Sequence, residues 1–220
     1  MPTETFLNLP IEKQQRLMEA AKIEFSRAPL KEASIANIIK LAGIPRGSFY
    51  QYFTDKEDLY FYYYDQLQRD TRLEFEEALI AADGDILQAA DVYFVKMMTE
   101  VLTGENTAFF KNLFMSMDYH SSRRVTRDLD FPENERPMKH KHHHREIHSL
   151  WRLVNQEALC FENSREFAMF IRTLMTVVFM VVSHGYRRLG VDENYRVEDS
   201  IAEFRTQLNW YRQGIYKQDD

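Results

Sequence analysis

The sequence predicts an all-α protein, on three observations. Its 220 residues carry only 7 Gly and 6 Pro, most of them set between apolar-periodic stretches, which suits helices with short connections. Ile11, Leu17, Met18, Ala21 and Phe25 open the chain with the intervals of three, four and seven that mark one face of a helix. Hydrophobic residues make up 45% of the chain, enough to fill the core of one large domain or of a small domain joined to a larger one.

About nine helices are expected. The first starts at Pro10, suited to a first-turn position, and ends at Ala28-Pro29. Ser34 can cap the second, whose Ile35, Ile38, Ile39 and Ala42 turn inward, and Gly43 permits the sharp turn that follows. A short third helix begins at Pro45 and stops by Thr54, because Thr54 to Glu57 reads as a capping box for the next. That fourth helix is expected to run unbroken from Asp55 to about Ala82, where Asp83-Gly84-Asp85 ends it. A fifth covers about 86–102 before Gly104, and a sixth about 106–118. The polar, proline-bearing stretch His120 to Pro137 reads as a loop or broken helix. A seventh helix carries Trp151, Leu153, Val154 and Leu159; Asn163 with Glu166 caps an eighth over about 164–188, and the ninth spans about 197–216.

Composition narrows the function. Cys160 is the single cysteine, so no intrachain disulfide forms, and the start MPTETFLNLP lacks an apolar signal core. The most apolar run, Thr173 to Ser183, is too short to span a bilayer. A cytoplasmic protein with no membrane partner is expected. The net charge of -6 is unevenly spread: residues 1–56 hold eight Lys and Arg against six Asp and Glu, and residues 57–220 hold twenty against twenty-eight. That asymmetry fits a small polyanion-binding head on an acidic body. No nucleophile with a base and no paired carboxylates stand out, so an enzyme is not expected, and no cofactor is implied.

The stretch AGIPRGSFYQYFTDKEDL, residues 42–59, mixes rings with charges as neither a buried nor a solvated helix would. A short helix, a glycine turn and a second short helix form the pattern of a helix-turn-helix, whose second helix enters the DNA major groove. Ile44, Phe49 and Phe53 can then face a three-helix core while Arg46, Ser48, Tyr50, Gln51 and Tyr52 occupy the other face. Tyrosine hydroxyls and lysines suit phosphates, and Arg and Gln can each pair bidentately with a base edge.

With Ser34, Ile35 and Ile38 before it, and Phe25, Gly47, Tyr50, Phe53, Lys56 and Leu59 in order, residues 11–60 strongly resemble the DNA-binding end of the tetracycline-repressor (TetR) family. The resemblance implies a homodimeric regulator, usually a repressor, with residues 1–54 as the DNA-binding domain and 55–220 as a helical ligand-binding and dimerisation domain. It places Tyr50, Tyr52 and Lys56 at phosphates and Arg46, Gly47, Ser48 and Gln51 toward bases, and Ser34 and Pro45, at the helix starts, complete the expected DNA-binding set. Pro45 departs from the polar cap common in the family, and Ala28-Pro29 from its glycine. The expected partners are a partly palindromic double-stranded operator, a second copy through the last two helices, and an unknown small molecule, with a protein partner for the body as the alternative.

The candidate ligand residues are Tyr63, Tyr93, Met97, Phe110, Phe114, Met117, His120, Trp151, Phe170, Met175 and His184. Core packing explains the rings and sulfurs equally well, and His120 and His184 read as pocket or core histidines. His140, His144 and His148 are spaced like metal ligands, but a solvated face accounts for them and no metal site is expected.

Overall fold

The computed structural model describes residues 2–69, 71–116 and 144–215. Among these are eleven helices and no strand: α1 (Glu4–Leu7), α2 (Ile11–Arg27), α3 (Ile35–Ala42), α4 (Arg46–Tyr52), α5 (Lys56–Leu67), α6 (Thr71–Ala81), α7 (Ile86–Thr103), α8 (Thr107–Ser116), α9 (His144–Leu153), α10 (Ser164–Leu189) and α11 (Val197–Ile215). The described residues within Met1–Arg72 and Thr103–Ser116 form one compact unit, and those within Leu73–Leu102 and Met117–Asp220 form a second.

In the first unit α2 packs against α3, α5 and α8, while α1 and α3 pack on α4. Leu17, Phe25, Ile38, Phe49, Phe53 and Leu59 are fully buried there. Burying each from water is worth about 1.5–3 kcal/mol. The turn after α3 needs a left-handed residue, and Gly43 supplies it at φ 65°, with Ile44 N–H donating back to Ile39 O at 3.1 Å. The turn after α2 needs none: Ala28 is extended, and Glu32 and Ala33 N–H both donate to Pro29 O.

A buried carboxylate fixes how α2 and α3 meet. Glu24 is 1% exposed. It accepts from Arg27 Nε and Nη2 at 2.9 and 2.6 Å, from Ser34 N–H at 2.7 Å, and from Asn37 Nδ2 at 3.1 and 3.3 Å. Ser34 thus stands at the N-terminus of α3 as expected, but its hydroxyl makes no cap bond. Its amide is satisfied instead by a side chain ten residues earlier.

The single helix expected over 55–82 is two. At Gln68 the carbonyl accepts from both the amide and the hydroxyl of Thr71, at 3.3 and 2.8 Å, and this local side-chain bond replaces helix continuation. The cap of α5 also lies one residue later than expected. Asp55 accepts from Asp58 N–H at 2.8 Å, and Asp58 reaches back to Thr54 N–H at 3.3 Å.

In the second unit α10 packs against α9 and α11. Asn163 caps α10 through Arg165 and Glu166 N–H. Phe167, Phe170, Leu174, Val178 and Val181 are buried on its inner stripe, with Phe204, Leu208 and Ile215 of α11. By length and composition α10 could cross a membrane, yet 56% of its most apolar window is buried within the protein. Val154 and Leu159, expected on the seventh helix, lie beyond the end of α9 but are buried.

Arg27 first, then Ser34 N–H and Asn37, hold the Glu24 carboxyl down to about 2 from 4.5, against the opposing effect of burial. A carboxyl whose folded pKa is depressed stabilises fully above its unfolded value and loses that contribution as pH falls toward the folded value. Glu24→Gln should therefore cost about 2 kcal/mol at pH 7 and flatten the loss of stability between pH 4.5 and about 2, measured by urea unfolding across that range.

Candidate nucleic-acid interface

The short α4 is held from three sides. Its inner residue Phe49 and its C-cap Phe53 are fully buried. At its C-terminal end the last carbonyls need donors, and Thr3 supplies two: its hydroxyl donates to Gln51 O at 2.6 Å and its amide to Tyr52 O at 3.0 Å. Phe6 of α1, fully buried, then stacks on Phe53, Tyr62 and Tyr52 with centroids 4.9, 5.6 and 6.1 Å away. The sequence reading placed no helix before Pro10 and missed both residues. A threonine just before an acidic first turn was the available signal.

Pro45 precedes α4 as N-cap with no side-chain cap bond. Pro45, Arg46, Gly47, Tyr50 and Gln51 are exposed, and Ser34, Ser48, Tyr52 and Lys56 are half-buried. The expected outward set is therefore brought onto α4 and its flanks, with Ile44 only partly turned into the core. Gly47 is helical and a Cβ built on it would meet nothing within 4 Å. Neither a turn nor internal packing explains a glycine there.

Lys56 has a duty inside the protein. Its ammonium donates to Lys31 O at 2.8 Å and Ala33 O at 2.9 Å, tying the start of α5 to the connection between α2 and α3. A second long-range clamp comes from α8: Asn112 Nδ2 donates to Phe25 O and Ser26 O, both at 2.9 Å, and so covers the last turn of α2.

The candidate ligand residues divide between the units. In the first, Tyr63 is buried and donates to Asn106 Oδ1 at 3.1 Å; burial, then Glu19 and Glu105, push its hydroxyl pKa up. Its ring packs edge-on against Phe109, next to buried Phe110, while Phe114 is half-buried. In the second, half-buried Tyr93 meets Phe75 and Phe94, half-buried Trp151 meets Phe167, and buried Phe170 meets Phe161 and Tyr211. Met97 and Met175 are half-buried.

The core reading of His184 is corrected: it is half exposed on α10, 3.0 Å from Glu203 of α11. Met117, His120, His140 and the side chains of His144 and His148 lie outside the described residues. Among the described residues no group of three or more His, Cys, Asp or Glu could hold a metal.

A helix-turn-helix with an outward, basic and aromatic second helix defines a DNA-binding regulator. The description "Bacterial regulatory proteins, tetR family" matches residues 17–63, and "Tetracyclin repressor-like, C-terminal domain" matches residues 85–215. The chain belongs to the TetR family of transcriptional regulators; it is not an enzyme. Over 50 residues it is 40% identical to YdgC of Bacillus subtilis (strain 168), described as an uncharacterized HTH-type transcriptional regulator; the match spans 23% of this chain and about a quarter (26%) of that relative. In fold it is similar to NalD, named as the secondary repressor of the MexAB-OprM multidrug efflux pump in Pseudomonas aeruginosa, at TM-score 0.61 and 15% identity, over 94% of this chain and 98% of that one. It is equally similar to SmeT, named as the repressor of the Stenotrophomonas maltophilia pump SmeDEF, at TM-score 0.61 and 13% identity, over 97% and 93%.

The Thr3 and Phe6 contacts generate a test. Thr3→Val should lower stability by about 1 kcal/mol and Phe6→Ala by about 3–5 kcal/mol. Amide exchange should accelerate in α4 before α2, and equal acceleration in both would show that the arm does not hold α4.

Proposed function

We propose that this chain is a cytoplasmic repressor that binds a partly palindromic double-stranded operator as a homodimer and leaves it when a small, largely apolar ligand binds. The outward face of α4 carries the reading. It presents Arg46 in its first turn and Tyr50 and Gln51 in its last turn to solvent, residue types that suit base edges and phosphates. Tyr50 and Tyr52 bind phosphate and position α4; Arg46, Gly47, Ser48 and Gln51 face the bases. Lys56 keeps one donor for phosphate beyond its two carbonyl bonds.

Dimer formation is supported by what α10 and α11 leave uncovered. Met169 and Met180 on α10 are 52% and 64% exposed, and Trp210 on α11 is 67% exposed. His184 follows Met180 by one turn and bridges to Glu203, two turns before Trp210, so the two apolar stripes lie on one side of the helix pair. Within these two helices Leu208 is 6% exposed and belongs to the core of the chain, while Val177 is half-buried at the edge of the outward stripe.

Release is proposed to act through α8 rather than through an unbroken lever over 55–82. A ligand that favours another placement of α8 withdraws Asn112 from the end of α2. A coupling of about 1–3 kcal/mol would loosen the operator 5- to 150-fold. NalD and SmeT are named as repressors, and this chain is proposed to act in the same sense.

The function is tested by selecting bound duplexes from random DNA and then screening ligands by thermal shift against the selected operator. A palindromic motif and a stabilising ligand that weakens DNA binding are expected. Stabilising ligands that leave DNA affinity unchanged would favour a protein partner for the body instead.

Gly47→Ala should leave stability equal or raise it by about 0.5–1 kcal/mol while lowering affinity for operator DNA, read by fluorescence anisotropy. Met180→Glu combined with Trp210→Glu should give folded monomers in sedimentation, whereas Leu208→Glu should unfold the chain. A dimer surviving the double change would reject this interface.

A further inference from the structure

Arg46 stands in a place that the protein alone does not explain. It is the first residue of α4, where the helix dipole disfavours positive charge. Among the described residues it has no acidic partner. Its side chain instead folds along the helix to Tyr50, one turn on. The guanidinium carbon lies 5.8 Å from the Tyr50 ring centroid, and Nη2 donates to Tyr50 Oη at 3.4 Å. Both residues are exposed, and the Tyr50 ring is itself braced edge-on against buried Phe49, 5.4 Å away.

We propose that Arg46 reads a guanine in each operator half-site and that Tyr50 is its positioning residue. The inference rests on the DNA-binding reading above and deepens it by naming a base and a partner. A guanidinium offers five donors in a planar fork, and a bond to Tyr50 occupies one of them. The remaining donors match the two adjacent acceptors, O6 and N7, that guanine alone shows in the major groove. A ring beneath the guanidinium restricts its rotamers before DNA arrives, which reduces the entropy lost on forming the bidentate pair. Beside it Gly47 has no side chain and open space around it, so nothing on the next residue blocks a base edge from reaching Arg46. Tyr50 then has two separable effects. Its hydroxyl contributes affinity at every sequence, and its ring contributes discrimination at one base pair.

The test is selection from a randomised duplex library, followed by anisotropy titration of single-base variants, with wild type, Arg46→Ala, Arg46→Lys, Tyr50→Phe and Tyr50→Leu. Melting temperatures of all five establish that each is folded. Wild type should enrich a guanine at symmetry-related positions. Arg46→Ala should lose about 10- to 100-fold of the preference at that position alone, and Arg46→Lys should lose most of it because the fork is gone. Tyr50→Phe should weaken all sites alike and keep the preference. Tyr50→Leu should lose preference as well as affinity. An Arg46→Ala protein that selects the wild-type motif with uniformly lower affinity would make Arg46 a phosphate contact and overturn the proposal. A Tyr50→Leu protein with wild-type discrimination would overturn the positioning role. If wild type enriches no sequence, the DNA-binding reading itself falls, which is a different result from either.

Discussion

Glu24 is buried on α2, and four groups converge on its carboxylate from α2, the start of α3 and the first turn of α3. An unpaired charge in that position would be costly, and a paired one is tolerated only when its lone pairs are filled. They are filled, and the arrangement that fills them sets the direction in which α3 leaves α2. From α3 the chain has one tight turn at Gly43 before α4, so the aim of the recognition helix follows from where α3 begins. The other long-range bonds extend the same scheme. Lys56 fastens the carbonyls just before α3, Asn112 covers the last turn of α2, and Thr3 covers the end of α4. Asn112 and Thr3 satisfy carbonyls that a helix end cannot satisfy alone, and Lys56 does the same for the connection between α2 and α3.

This explains which parts were legible in the sequence. Gly43 could be read because a left-handed turn after an apolar helix has few alternatives, and Asn163 with Glu166 because a cap is a local bond. The order of α2, α3 and α4 followed from periodicity, and the family likeness lay in a contiguous stretch. Glu24 drew no notice in the sequence, because only the fold brings Ser34 and Asn37 to it. Thr3 and Asn112 act across 48 and 87 residues, and no spacing rule reaches that far. The break at Gln68 was missed because Thr71 is compatible with a helix and simply bonds elsewhere. For α10 and α11 a dimer contact was expected, but a strongly apolar helix does not announce which of its faces the chain itself covers. Trp210, exposed and unremarked in the sequence, is the residue that the structure adds there.

The site has the same division between scaffold and reader. Phe49 and Phe53 on α4 and its C-cap belong to the core, and Arg46, Tyr50 and Gln51 to the surface. Core and surface alternate within seven residues, so α4 is too short to hold its own shape and depends on caps from outside it. A regulator gains from that dependence. Where a helix is positioned by a few side-chain bonds from α1, α5 and the neighbourhood of α2, a small displacement of any one changes the geometry of the whole reading face, and in the proposed dimer two such faces have to match successive grooves at about 34–36 Å.

The bonds around Glu24, Lys56 and Thr3 hold α4, before DNA arrives, in the geometry proposed to read the operator. A crystal structure of the chain on its selected operator tests this most directly. In that complex α4 should lie in the major groove with Glu24 still bonded to Ser34 and Asn37, and Thr3 still capping Gln51 and Tyr52. An α4 lying outside the groove, or one that enters it only after those bonds have broken, would show that they do not set the reading geometry.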